Sequence, residues 1–494
     1  MSQPSPERTP VIVGVGQVTE RSEVTSAIAL AERACRRALD EAPGLRERVE
    51  RITVVAISFS RSVPDPAREL ASRLGIEGAL AELSSHGGNM PQYLVSRAAA
   101  DIAAGKLRST LIAGAEATRS LRLAEPDVNF LDLANANVEV EKSGKTIGPT
   151  LDGILGKAEI RAGLNAPSTV YPMFESVLAK RAGRSHAEQR AAIAPLMSRF
   201  TEVAARNPYA WFPKAQSAAE IAEVSGANRL ISEPYNRSMN SFPNVDQGAA
   251  LLLTNLAVAR ELGLADACVF PWAGAAAKEL PPAQRPDLGD SAAMTSTSRA
   301  ALTAAGVAAD DCAHIDLYSC FPVAVEVAAA GLGIDPAGDR ELTVTGGLPY
   351  FGGPGNNYST HAIASLVERI RETGELGFVS ANGGYMSKHA AGVYGGSPPA
   401  HGFVAADQRE AQARIDASAL PVVLEAEGAA TVAAATVSYG RDGGVVAAPV
   451  IATFDDGRRI AARAAAEVAP ELAGRNLVGE RIAVSGSRPE YRPL

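Results

Sequence analysis

Two spacings of apolar residues alternate along this chain. "PVIVGVG" (Pro10–Gly16) is a nearly unbroken apolar run that predicts a buried strand. "SAIALAERACRRALDEA" (Ser26–Ala42) follows with apolar positions three and four apart, the signature of a helix with one buried stripe. "ITVVAISFS" (Ile52–Ser60) predicts a second buried strand. The stretch "SSHGGNMPQYL", starting at Ser84, sets a Gly-Gly turn before an amphipathic helix, and an apolar strand begins at Leu111.

The same plan then recurs. "TSRAALTAAGVAADDCAHIDLYSCF" (Thr297–Phe321) repeats the helix, loop and strand, and "FGGPGNNYSTHAIASLVERIRETGELGFVSANGG" (Phe351–Gly384) repeats the Gly-Gly turn, helix and strand. Gly88 precedes the strand at Leu111 much as Gly353 precedes the one near Leu376. Two βα-rich copies, over 10–120 plus 240–260 and over 265–400, imply a duplicated α/β fold. Alternating helices and strands predict mostly parallel sheets covered on both faces. The two Gly-Gly helices then lie side by side and aim their N-termini at one site.

Residues 121–240 break the plan with patches of helix and loops such as "RNPYAWFPKAQS", which holds Trp211 and Phe212. Insertions of this length carry ligand contacts or cover a pocket, or staple themselves down through their aromatics. After "GGSPPAHG" (Gly395–Gly402) short apolar segments alternate with the hairpin signals "GRDGG" and "DDG", so 408–494 reads as a small, barrel-like β domain. The division expected is 1–264 and 265–402 for the two halves, with 408–494 added.

Composition narrows the function classes. The 494 residues are 46% hydrophobic and 21% charged, a globular balance of two to four units. A net charge of −8 argues against a general nucleic-acid surface. No run of 18 apolar residues suggests a membrane span, and the polar "MSQPSPERTP" has no signal-peptide core, so a cytoplasmic protein is expected. The four cysteines (Cys35, Cys268, Cys312 and Cys320) lack CxxC spacing and read as free thiols, and the six histidines form no ligand set, so no metal is expected. Gly14 and Gly16 supply two thirds of a dinucleotide fingerprint, but Thr19 stands where the third glycine belongs. No nucleotide redox cofactor is expected.

In motif order the chain resembles the thiolase superfamily, and most nearly the thiolase-like proteins of type 1, which are related to the sterol-carrier-protein thiolase branch and add a C-terminal domain. The resemblance rests on the duplicated halves, the intervening loop domain, "VDQGAALLLTN" (Val245–Asn255) opening the second half, and the Gly-Gly-x-x-x-x-Gly-x-Pro stretch Gly346–Pro354, and it covers residues 1–400. It implies a layered α-β-α-β-α thiolase fold. Working thiolases move acyl groups between coenzyme A and a ketoacyl chain with a nucleophilic Cys, a second Cys that moves a proton, and His and Asn groups that hold oxyanions. Carried over by motif, the nucleophile position falls at Asn89 (or Gly88), the Gly-His-Pro histidine at Gly353, the second Cys at Ala381 and the strand-end Asn or His at Tyr318. All four depart from the family pattern.

What remains is polar. Asn89 can donate to a thioester oxygen or simply cap the helix that begins near Pro91. His361 lies off the apolar stripe of Ile363, Leu366, Val367 and Ile370, near a helix start that lowers its pKa. Asn382, Lys388 and His389 follow a strand end. Lys388 reads as an exposed lysine or as a phosphate or carboxylate contact, Cys320 as packing, and Tyr318 as an oxyanion donor or a space filler. By the resemblance, CoA or acyl-CoA contacts are expected at Asn89, Trp211, Phe212, Ser241, Asn382 and Lys388. Three functions stay open: a CoA or acyl-CoA binder without thiolase chemistry, an acyltransferase or thioester-processing enzyme using a relocated set (His361, Tyr318, His389 and Cys320), or a partner protein working through its C-terminal domain. Monomer and dimer are both compatible with the sequence.

Overall fold

A computed structural model of the protein describes residues 4–142 and 146–494, so the first three residues of the polar N-terminal stretch lie outside it. Pro10–Thr19 (β1), Arg51–Val54 (β2), Leu80–Ser84 (β3), Ser109–Ala117 (β4), Thr146–Ile147 (β5) and Asp246–Asn255 (β6) form one sheet in the order β1-β6-β4-β2-β3-β5. Phe270–Lys278 (β7), Cys312–Asp316 (β8), Leu376–Gly383 (β9), Lys388–Gly395 (β10) and Val404–Ala405 (β11) form a second, ordered β8-β9-β10-β7-β11.

Both sheets are mostly parallel, as the alternation of helix and strand predicts, with one reversed strand in each. β6 runs antiparallel to β1 and β4, and β10 runs antiparallel to β9 and β7. Every residue of β6 and β10 is buried. A continuous apolar run reports two covered faces and says nothing about strand direction, so the two reversed strands carry no signal in the sequence. "VDQGAALLLTN" also does not open the second half; as β6 it sits between β1 and β4 and completes the first sheet.

Ala27–Asp40 (α1) packs on the outer face of the first sheet. Gly14 and Gly16 face it so closely that a Cβ at either would run into the carbonyl oxygen of Ala38 or Ala34. The chain continues as strand through Thr19, with no turn into a helix at these glycines. They serve helix–sheet packing, and the partial fingerprint carries no phosphate loop.

Met90–Ala103 (α2) and, in the second half, Tyr358–Thr373 contact both sheets and each other, forming the central layer. In the insertion, Pro167–Arg181 (α3) and Ser185-capped His186–Arg206 (α4) are tied to each other and to Tyr235 through Glu175. Its carboxylate accepts from Gln189 at 2.6 Å and Tyr235 at 2.5 Å. Ala292–Ala305 (α5) lies on the second sheet, Pro322–Leu332 (α6) packs against α5 and α3, and Tyr358–Thr373 is α7.

The C-terminal region closes a five-stranded barrel from Gly428–Ala435 (β12), Pro449–Phe454 (β13), Arg459–Ala464 (β14), Arg481–Ser485 (β15) and Glu490–Pro493 (β16). Its first strand pairs with the second and fourth, and the third closes in parallel on the fifth. This is the strand order of an OB-fold barrel. The barrel is docked on the core: Asn476 donates to Ser176 O at 2.9 Å, and Tyr439 donates to the buried Glu233 carboxylate at 2.9 Å.

Candidate functional site

The two Gly-Gly turns meet where the central helices begin. Ser359, in the first turn of α7, donates its hydroxyl to Gly88 O at 2.9 Å. Asn356 accepts from Gly87 N at 2.9 Å and donates to Ala56 O at 2.8 Å and Ser58 Oγ at 2.7 Å, tying the second copy to the first. Glu116 holds the neighbouring chain with bonds from Ser58 N (2.6 Å) and the Ser60 hydroxyl (2.5 Å), and burial raises its carboxyl above the ordinary range. The side chain at Asn89 is 1% exposed. Its backbone is helical (φ −74°, ψ −18°) and its side chain makes no capping bond, so Asn89 is not the helix cap that its position suggested. Its Oδ1 is buried and unpartnered, and lies 2.5 Å from where a Cβ on Gly383 would be.

Space around this turn is taken. A Cβ on Gly88 would strike the Tyr318 hydroxyl and approach Asn382 O at 2.5 Å. Tyr318 is held edge-on to Tyr358, ring centroids 5.4 Å apart, and burial raises its pKa far above that of a free phenol. At Gly353 a Cβ would strike Ser241 Oγ, so the serine occupies the volume a histidine would need. Ser241 N donates to Cys320 O at 3.0 Å and Gly353 N to Phe242 O at 2.9 Å, fixing that arrangement. Ala381 lies buried in β9. Asn382 donates to Tyr171 Oη at 2.9 Å and leaves its own Oδ1 buried without a partner.

Other expected site residues fall elsewhere. His361 is fully buried because α7 is enclosed between the sheets, not because of any apolar stripe. Its Nδ1 meets Gln17 Oε1 at 2.9 Å across from β1, and burial takes its pKa down to about 3. His389 contacts Met386 O at 3.1 Å and Ser291 Oγ at 3.3 Å, next to α5, and burial lowers it to about 4. Cys320 has its thiol pushed up to about 12 by burial. The hydrogen bonds of His361, His389 and Cys320 run to different partners: Gln17 for the first, Met386 and Ser291 for the second, and Asn382 for the third. Trp211 and Phe212 donate their backbone N–H groups to Phe351 O (2.7 Å) and Tyr350 O (3.0 Å), which pins the aromatic pair over the segment leading to Gly353.

Lys388 is the largest correction. It is 1% exposed rather than solvated. Its ammonium donates to His86 O and, at 2.9 Å, to Pro149 O, beneath the Gly87 turn. Burial lowers its pKa to about 8, opposed by the Glu141 charge. Glu141 in turn binds His86, with His86 Nδ1 at 3.0 Å and the His86 backbone N–H at 2.7 Å. Burial works to raise this carboxyl, but the bonds from His86 and Leu151 outweigh it and leave it below the ordinary range. His86, Glu141 and Lys388 thus form the scaffold of the turn. The only sequence signal for it was His86 directly before the Gly-Gly pair; the other two are 55 and 302 residues away. Lys388→Met strips two buried carbonyls of their donor and is expected to cost about 1–3 kcal/mol in urea unfolding. Equal midpoints for variant and wild type would show the ammonium is not bound there.

Against known proteins, neither the family models nor the curated proteins give a match to the sequence. Solved structures do. A monomeric SCP2-thiolase-like protein type 1 from Mycobacterium smegmatis is 33% identical, with 99% of this chain and 100% of that one covered at a TM-score of 0.84. The chain belongs to the SCP2-thiolase-like type 1 family of the thiolase superfamily. The fold alone is shared with the dimeric peroxisomal thiolase of Saccharomyces cerevisiae (15% identity, 79% of this chain and 98% of that chain, TM-score 0.57). It is also shared with an Ltp2–ChsH2(DUF35) aldolase (19% identity, 79% and 98%, TM-score 0.60). In this thiolase-like protein the side chains at Asn89, Tyr318, Gly353 and Ala381 are an amide, a phenol, a hydrogen and a methyl group. Among the described residues no helix is long and apolar enough to cross a membrane, and no cluster of three or more His, Cys, Asp or Glu is placed to hold a metal.

Proposed function

We propose that this protein binds coenzyme A or an acyl-CoA at the Asn89 turn and does not carry out thiolysis or Claisen condensation. The observation that carries this is steric as well as chemical: Ser241 fills the place of the family histidine at Gly353, and the Tyr318 hydroxyl stands over Gly88. Acyl transfer to an enzyme thiol needs a thiolate. The cysteine nearest the site, Cys320, is held as a thiol by burial up to about 12.

Binding is a different requirement. The unpartnered oxygens of Asn89 and Asn382 are acceptors in a buried setting, where each polar atom gains from a partner. They suit the amide N–H groups of a pantetheine arm. Trp211 and Phe212 are pinned to the segment that leads to Gly353. The monomeric state of the M. smegmatis relative supports a site complete within one chain.

Titration calorimetry with CoA, acetyl-CoA and S-acetylpantetheine tests the reading, alongside a thiolysis and condensation assay. Saturable heat with no turnover is expected. Absence of heat from every thioester sinks the binding half; turnover that is lost in His361→Ala and in Tyr318→Phe would favour the relocated catalytic set instead.

A further inference from the structure

At the seam between the barrel and the core lies a cleft of about 500 Å³ lined by Arg161, Glu425, Arg463, Ser487 and Arg488. Three arginines face one carboxylate, and this in a chain of net charge −8. Glu425 reaches only Arg161, at 3.5 Å. Among the described residues no carboxylate pairs with Arg463 or Arg488, although almost every other ion pair of the surface is closed at 2.5–3.4 Å between an arginine and a nearby Asp or Glu. Gathering like charges without counter-charges raises the potential of a cleft and favours an anion within it. Gly163 adjoins Arg463 on the core side: a Cβ there would meet the guanidinium at 2.9 Å, so the glycine leaves it room to engage a ligand.

The cleft is connected to the Asn89 turn. Residues 163–165 run from Arg463 to Asn165, whose carbonyl accepts from the Tyr385 hydroxyl at 2.8 Å. Tyr385 follows Gly383 and Gly384 on the hairpin packed against Asn89.

We infer that the Arg161–Arg463–Arg488 cleft binds the phosphate groups at the nucleotide end of a coenzyme A thioester, an inference that rests on the thioester-binding reading above. Arginine suits this task because its planar fork pairs with phosphate oxygens two at a time. A nucleic acid is the poorer fit: single-strand binding by OB-type barrels uses aromatic platforms for the bases, and no aromatic side chain lines this cleft.

The test compares the full-length protein with the double variant Arg463→Ala/Arg488→Ala, both positions being exposed. Probes are acetyl-CoA, S-acetylpantetheine, 3′,5′-adenosine bisphosphate and a short single-stranded oligonucleotide. Acetyl-CoA affinity is expected to fall at least tenfold and bisphosphate binding to vanish, while S-acetylpantetheine binds as before. Unchanged acetyl-CoA and bisphosphate affinities in the variant overturn the inference. So does an oligonucleotide that wild type binds more tightly than the bisphosphate. Silence from the bisphosphate while S-acetylpantetheine binds removes this cleft alone. The reverse result, bisphosphate bound and pantetheine ignored, leaves the cleft standing and removes the thioester reading; silence from all of them removes both.

Discussion

Replacing Gly14 and Gly16 together by alanine is expected to abolish folding. Each new Cβ would be driven against a backbone oxygen of α1, Ala38 O or Ala34 O, and backbone cannot swing aside as a side-chain tip does. Overpacking a dense core costs roughly 1–3 kcal/mol per site and more where nothing yields. Two such sites between β1 and α1, where backbone must give way, cost about 6 kcal/mol or more, enough to unfold a protein at the lower end of the typical range of about 5–15 kcal/mol. Far-ultraviolet circular dichroism and denaturant unfolding of the single and double variants check this. A double variant that folds with wild-type stability would mean the two elements stand further apart, and would reopen the glycines to a ligand role.

The second large effect is one of pH. Glu175 and Glu326 face each other, where α3 meets α6, and burial raises both carboxyls, with Glu326 the more strongly shifted by the added charge of Glu175. Glu175 already accepts from Gln189 and Tyr235, while Glu326 Oε2 is buried without a partner, so a proton on Glu326 relieves the repulsion between the two carboxyls. The folded state therefore holds a proton that the unfolded chain releases above the ordinary carboxylate pKa. Stability falls as pH rises through the window from that value up to the raised one, by about 1.4 kcal/mol for each pH unit. Glu326→Gln carries no charge and needs no proton. Its unfolding midpoint is expected to equal that of wild type near pH 4–5 and to exceed it increasingly toward pH 8, with a flatter profile. Parallel profiles for the two proteins would show that Glu326 holds no such proton.

The predictions for Lys388, for thioester binding and for the arginine cleft follow the same logic, since each concerns a group whose partners come from distant parts of the chain. Lys388 shows why. In sequence it is one lysine after a Gly-Gly-Tyr-Met-Ser loop, and a lysine is ordinarily solvated. Only the fold reveals that β10 carries it beneath the Gly87 turn, where two carbonyls and the Glu141 charge hold it. Asn89 is a similar case. Its place before Pro91 looks like a cap, yet the turn is fixed from outside by Asn356 and Ser359, so its side chain is free for something else.

The sequence by itself determined the repeated plan, the thiolase resemblance, the added barrel and the chemical groups that stand at Asn89, Tyr318, Gly353 and Ala381. Residue identity and local periodicity carry that information directly. Tertiary structure alone decided the antiparallel course of β6 and β10 and the burial of His361 and Lys388. It also decided that Ser241 crowds Gly353 and that three arginines meet at one seam. Those properties depend on which faces are covered and on what lies opposite across hundreds of residues, and a linear pattern records neither.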